Sequence, residues 1–410
     1  MEVIHPRCAG LDVHKQTVVA CIRIANNGAP TQEVRTFTTT TSGLLTLADW
    51  LAAHGVEHVA MEATGVYWKP VWHILEGHFQ LILANAAHVK NVPGRKTDGN
   101  AAMWLADLLA HGLIRASFVP PTPVPELRAL TRTRKQFVRE RASHVQRIEK
   151  VLEDANLKLG VVLTDILGKS GRAVLQAIID GDSDPESLLS RIDRRVKASR
   201  DQVLEALRGH ISSHHRCMLQ LHLEHIDALN RAIATLEQEV GAGLKPFLDA
   251  AELVSTMPGM SAVASHAVLA EIGIDMSRFQ TPGHLLSWAC LCPRNDESAG
   301  KRRSTRLRRG GKWLQTTLVQ AAWSAVRVKG SYLQAQFHRL RARRGAKKAI
   351  IAVAASMLTA IWHMLRNGTE WRELGAAYFD RVDAQKTATR LIRRLQQIGY
   401  AVQVTAVTPA

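Results

Sequence analysis

The sequence predicts an α/β N-terminal domain, a helical middle with coiled-coil seams, and a mostly α C-terminal domain. Up to residue 116, short apolar runs alternate with stretches of helical spacing. Pro120, Pro121, Pro123 and Pro125 then break the pattern, because proline cannot continue a helix. Beyond them, apolar residues step by three and four over long distances. The expected divisions are residues 1–119, 120–250 and 251–380, with a tail over 381–410.

In the first domain, Cys8–Val13 and Thr17–Ile24 read as strands joined by a turn at His14-Lys15-Gln16. Glu33–Thr38 alternates like a third strand. Ser42–Ala53 has the spacing of a helix. Glu57–Met61, running into Glu62, and Phe79–Ala84 read as the fourth and fifth strands of a mixed sheet. Asp98–His111 reads as a helix with its apolar face at Ala102, Leu105, Leu108 and Leu109. In the middle domain, Leu127 to Ala155 and Leu219 to Val240 carry narrow apolar seams, which suit packing within one chain or between two. Residues 160–210 read as short helices with polar breaks. From Leu253, two helical stretches flank the turn Met257–Ala264, a device that can also present backbone N–H groups to phosphate.

The formal charge is +17 and the isoelectric point about 10.1, which favours a polyanionic partner such as nucleic acid. From Lys301 to Lys348 the chain carries many Lys and Arg and no Asp or Glu. A solvated helix face mixes signs, so this stretch reads as a surface that tracks phosphates. The five cysteines show no CxxC pair, which argues against a disulfide framework or zinc site and for reduced thiols in the cytoplasm. The N-terminus lacks a signal-peptide pattern. The apolar run Ala349–Leu365 is interrupted by Ser356, Thr359 and His363 and reads as a buried helix, so no membrane partner is expected.

Two carboxylates, Asp12 and Glu62, stand at the ends of apolar strands, where a charge is costly unless paired or metal-bound. With Asp98 at the predicted helix start, they supply hard oxygen ligands for Mg²⁺ or Mn²⁺. Asp98 could equally be an N-cap, and Asp12 and Glu62 could face solvent. Three residues along a helix from Asp98, on nearly the same face, stands Ala101, where a fourth ligand would fit. Asp107 is out of phase and cannot replace it.

These segments resemble the DEDD-type transposases of bacterial insertion sequences, the IS-one-ten family of bridge-RNA-guided recombinases. The resemblance rests on Gly-Leu-Asp-Val-His-Lys at 10–15, Met-Glu-Ala-Thr-Gly-Val-Tyr-Trp at 61–68, Gly-Arg-Lys-Thr-Asp at 94–98, the run at 104–121 and Ser-Ala-Gly-Lys at 298–301. It continues through Gly-Gly-Lys-Trp-Leu at 310–314, Gln-Ala-Ala-Trp at 320–323 and Ala-Arg-Arg-Gly at 342–345. It implies a RuvC-like (RNase H-like) N-terminal domain, a coiled-coil middle and a C-terminal transposase domain with a nucleophilic serine. It further implies donor and target DNA, a guide (bridge) RNA, a homo-oligomer (dimer or tetramer) with a composite site, and a bacterial, nucleoid-associated location.

By motif position, Asp12, Glu62 and Asp98 match three of the family's four acidic residues, and the fourth falls at Ala101. Decay of the copy and deliberate replacement both explain the alanine; the intact motif around it favours replacement. Weakened metal binding and reduced cleavage are expected. Ser298 matches the family's catalytic serine; read without the family it is a plain loop residue. A hydroxyl nucleophile needs activation, and the resemblance points to the acidic site for it. Lys301, Arg302, Arg303, Arg306, Arg308, Arg309 and Lys312 are placed to neutralise or position phosphates.

His214, His215, His222 and His225 read as surface residues of the middle domain. Trp68, Trp104, Trp288, Trp313 and Trp323 suit either base stacking or the core. The competing readings are a noncatalytic copy that still binds RNA and DNA, favoured by Ala101, and a sugar kinase of the actin-like superfamily. The kinase reading predicts glycine-rich phosphate loops, which the sequence lacks.

Overall fold

The computed structural model describes residues 2–26, 28–63, 65–86, 89, 92, 100–120, 123–293, 296–298, 300–304, 306–307, 310–382 and 384–403. The chain forms two compact units, Met1–Val119 and Pro120–Ala410.

The first unit is built on a five-stranded mixed sheet in the order β3-β2-β1-β4-β5. Its strands are β1 (Arg7–Val13), β2 (Thr17–Ile24), β3 (Thr31–Thr38), β4 (His58–Glu62) and β5 (Gln80–Ala84). The first three are antiparallel neighbours; β4 and β5 run parallel to β1. The central β1 is covered on both faces, which is why Cys8 to Leu11 are apolar or small without alternation. On one face lie α1 (Thr41–Ala53) and α2 (Trp68–Leu75), where Leu44, Leu47, Val71 and Leu75 pack on Leu11, Val13, Val59 and Met61. On the other lies α3 (Ala101–Ala110), whose Leu109 and Ala110 pack with Cys8 and Ala60.

Two details depart from the sequence reading. Helix α2 goes unpredicted: its first turn contains Pro70 and its Tyr67 N-cap makes no side-chain capping bond. Helix α3 begins at Ala101, not Asp98. Asn100 is its N-cap, with extended backbone and a side chain that accepts from the Ala102 N–H at 2.9 Å. The same-face argument joining positions 98 and 101 therefore fails, since helical geometry stops at Asn100.

In the second unit, α4 (Val124–Asp154) and α9 (Ser213–Leu244) form a long antiparallel pair. The predicted seams face each other within the chain. Leu127 meets Val240 and Leu244 at one end; Ile148 and Leu152 meet Leu219 and Ile226 at the other. Four short helices, α5 (Leu159–Val162), α6 (Lys169–Ile179), α7 (Pro185–Ser190) and α8 (Arg200–Ala206), close that second end around Val174, Leu188 and Val203.

After α9 come α10 (Leu248–Ser255), α11 (Ala262–Ile272), α12 (Pro282–Trp288), the hairpin strands β6 (Asp296–Ser298) and β7 (Lys301–Ser304), α13 (Lys312–Ala325) and α14 (Tyr332–Arg344). The apolar helix α15 (Ala346–Asn367) is long enough to cross a membrane by length and composition. Here it packs against α10, α12, α13 and α14, burying Ile350, Val353, Met357 and Ile361. Two helices follow, α16 (Tyr378–Val382) and α17 (Ala384–Gln397). The hairpin is a second element that the sequence reading does not predict, because its residues are polar and charged.

Candidate active site

The ends of β1 and β4 bring two predicted ligands together. Leu11 pairs with Met61 across these parallel strands, so Asp12 and Glu62 are the next residues on each. Neighbouring strands stand about 4.8 Å apart, which sets the scale between the two backbones. Side chains alternate along a strand, so Asp12 shares a face with Cys8 and Gly10, and Glu62 with Ala60.

That face is the one under α3. The Cys8 thiol lies 3.5 Å from the Ala106 carbonyl, and a Cβ built on Gly10 would stand 2.2 Å from the Ala102 carbonyl oxygen. Only glycine permits so close an approach. The Ile4 N–H donates to the Ala110 carbonyl, so α3 runs antiparallel to β1. Its first turn, with Ala101, therefore lies toward the strand ends that carry Asp12 and Glu62.

The Asp12 side chain is 26% exposed, and its Oδ2 lies 3.4 Å from Nε2 of the exposed His14. A partly buried carboxylate with so loose a partner retains ligand capacity. Asp12 and Glu62 offer hard oxygen donors that fit Mg²⁺ or Mn²⁺, which bind through one or two carboxylates together with substrate phosphate. Ala101 offers none. Asp98 lies outside the described residues, and among the described residues no group of three or more His, Cys, Asp or Glu is placed to hold a metal.

Asp107, excluded from the site by helical phase, has another role. It accepts from Arg23 Nε at 2.7 Å and from Gln32 Nε2 at 3.1 Å, tying α3 to β2 and β3. Burial pushes the Cys8 thiol up to about 11 and that of Cys21 up to about 12 on the same face, which makes both inert.

In the second unit, Ser298 is the last residue of β6 and pairs with Lys301 of β7 across a tight turn. Gly300 in that turn has φ +73°, a conformation that favours glycine. Arg302 and Arg303 lie on β7, while Lys301, Arg306 and Lys312 are exposed. Arg308 and Arg309 lie outside the described residues. The turn before α11 is capped by Ser261, which accepts from the Ala264 N–H.

The histidines correct one expectation. His215 is buried, caps α9 through Ser212 and meets Asp154 at 3.0 Å. His222 lies 3.2 Å from His144 of α4, nitrogen to nitrogen, and His225 stacks on His144. Of the tryptophans, Trp313 lies under Arg132 and Arg139, Trp288 under Arg128, and Trp323 is exposed against Phe337.

Comparison with known proteins agrees with this layout. A family model described as transposase, of the DEDD IS110 type, matches residues 9–157. A second, the transposase IS116/IS110/IS902 family, matches residues 251–338. Together they span more than half of the chain, which belongs to this transposase family. A pilin gene-inverting protein from Moraxella bovis is 35% identical over 107 residues; the match covers 24% of this chain and 32% of that protein.

Proposed function

We propose that the protein is an RNA-guided DNA transposase or recombinase that cuts and rejoins strands through Ser298, weakened in this chain by Ala101. The observation that carries the reading is the convergence of Asp12 and Glu62 on one face of adjacent parallel strand ends, beneath the first turn of α3. The strand order and directions suit a RuvC-like (RNase H-like) first domain. Residues 120–250, 251–380 and 381–410 would be a coiled-coil domain, a transposase domain and a tail.

In the reaction, Ser298 Oγ attacks a DNA phosphorus. An Oγ–P ester forms, the P–O bond to the departing deoxyribose oxygen breaks, and the serine proton passes to water as that oxygen is protonated. Reversal with a different strand end rejoins DNA without an external energy source. Lys301, Arg302, Arg303, Arg306, Arg308, Arg309 and Lys312 would hold the phosphate backbone and offset its charge. Asp12, Glu62 and Asp98 would hold Mg²⁺ or Mn²⁺, which supplies charge neutralisation at the phosphate oxygens. The partners are donor and target DNA, a bridge RNA and further copies of this chain, in the bacterial cytoplasm at the nucleoid.

The test is a covalent protein–DNA adduct assay with element-junction DNA, the element's RNA and Mg²⁺. An adduct that requires Ser298 and rises on Ala101→Asp supports the reading. No adduct with Ala101→Asp, despite nucleic-acid binding, favours the second reading, a noncatalytic binding copy, which Ala101 itself motivates.

A further inference from the structure

The largest cleft of the second unit lies outside every residue assigned above. It has a volume of about 660 Å³ and is bounded by α4, α9, α11 and α13. One wall is apolar, with Val138, Val240, Val263 and Ala267. The other carries three cations of α4, namely Arg134, Lys135 and Arg139.

Their partners differ. Arg134 is neutralised by Glu237, whose carboxylate accepts from its Nε at 2.9 Å. Lys135 donates to a neutral hydroxyl, Thr317 Oγ1, at 3.0 Å. The Arg139 guanidinium lies 5.5 Å from the centroid of the Trp313 ring. Among the described residues, neither Lys135 nor Arg139 forms an ion pair with a carboxylate. They stand one turn apart on the same helix face, where like charges repel. Burial, and then the charge of Arg139, hold the Lys135 ammonium below its usual range. An anion between the two would relieve both penalties.

We propose that this cleft receives one unpaired nucleotide of a nucleic-acid strand, its phosphate held by Lys135 and Arg139 and its base against the apolar wall. The volume suits a ligand of that size, since small-ligand sites run to roughly 300–1,000 Å³, and a duplex does not enter it. Gln320 and Ser324 of α13 line the same cleft and offer hydrogen bonds to a base edge. The proposal rests on the transposase reading for its ligand and extends it to a contact remote in sequence from Asp12, Glu62 and Ser298. The phosphodiester could come from DNA or from RNA, and the experiment separates them.

The experiment is fluorescence anisotropy of the full chain in EDTA. The probes are labelled twelve-nucleotide single strands of DNA and of RNA and a blunt DNA duplex. Lys135→Gln with Arg139→Gln removes the charges. Ser324→Phe, at an exposed position of α13, fills the cleft and leaves the charges in place. Unchanged melting temperatures check that the variants fold.

We expect both variants to bind at least one single strand about tenfold more weakly and the duplex within twofold of wild type. The charge variant should flatten the slope of log K against log salt by about 1.4, from roughly 0.7 per phosphate contact on a single strand; Ser324→Phe should leave it unchanged. The strand that loses more identifies the source. Unchanged affinity in both variants, or equal losses on duplex and single strands, overturns the cleft and leaves the transposase reading standing. If the wild-type chain binds none of the three probes, both fall.

Discussion

Replacing Gly10 with alanine should disturb α3 more than any other part of the first unit. The new Cβ would stand 2.2 Å from the Ala102 carbonyl oxygen, 2.5 Å from the Ala106 nitrogen and 2.8 Å from Leu105 Cβ. An ordinary carbon–oxygen contact is about 1 Å longer than the first of these, so the helix must retreat by about that much. Two of the three obstacles are backbone atoms, which no rotamer change can move. Overpacking of this kind costs about 1–3 kcal/mol, and the rigid obstacle argues for the upper half of that range.

The retreat would also carry Ala101 away from Asp12 and Glu62. Amide hydrogen exchange reads the local effect. About 2–3 kcal/mol corresponds to roughly 30- to 150-fold faster exchange across Ala101–Ala110 if those amides exchange through local opening. Amides of α15 provide the internal reference. Gly160→Ala, where a Cβ would meet nothing within 4 Å, should leave exchange unchanged. In an Ala101→Asp background, Gly10→Ala should lower adduct formation by about a hundredfold, the usual effect of misplacing a reacting group by an ångström. Wild-type exchange in α3 of the Gly10→Ala protein would refute the claim that helix and strand touch at this point.

Glu271 is buried between Arg128 and Arg132, accepting from Arg132 at 2.7 and 2.8 Å; Glu271→Gln should cost the second unit about 3–5 kcal/mol, seen as a lowered melting temperature. Iodoacetamide at pH 8 should label the exposed Cys217 and spare Cys8 and Cys21, whose thiols are held at about 11 and about 12 by burial; mass spectrometry of the native chain checks this. Burial holds His144 and His222 below the usual 6.5, with Arg147 and the neighbouring imidazoles acting in the same direction and Glu140 opposing at His144. The folded state then binds fewer protons than the unfolded one, so stability is fully present above pH 6.5 and falls as pH drops toward the lowered values. His144→Gln should flatten that decline in a melting series.

The sheet is legible in the sequence because its strands are apolar runs ended by polar turns. Asp12 and Glu62 stand out for the same reason, as charges closing such runs. The start of α3 is less legible. Asp98 and Asn100 are both capping residues, and only the bond from the Ala102 N–H shows which one caps. The β6–β7 hairpin is silent to hydrophobic patterning, since Asp-Glu-Ser pairs with Lys-Arg-Arg-Ser. The seams of α4 and α9 announce themselves by spacing, but their choice of each other does not, because each could have taken a second chain. The α11–α13 cleft was not legible at all: Lys135 and Thr317 meet across 182 positions of sequence.

The α4–α9 pair has a mechanical consequence. Its helices contain 31 and 32 residues, a rigid rod of about 46 Å at 1.5 Å per residue. The core around Leu127 and Leu244 sits at one end and that around Leu152 and Leu219 at the other. Such a rod is a fixed gauge about as long as 14 base pairs of B-form DNA, at roughly 3.4 Å each. Whatever binds at its far end is held more than one turn of a double helix from whatever binds at its near end. Adding or removing one turn of both helices would alter that interval by about 5.4 Å and rotate the two ends against each other, without touching a single residue of either core.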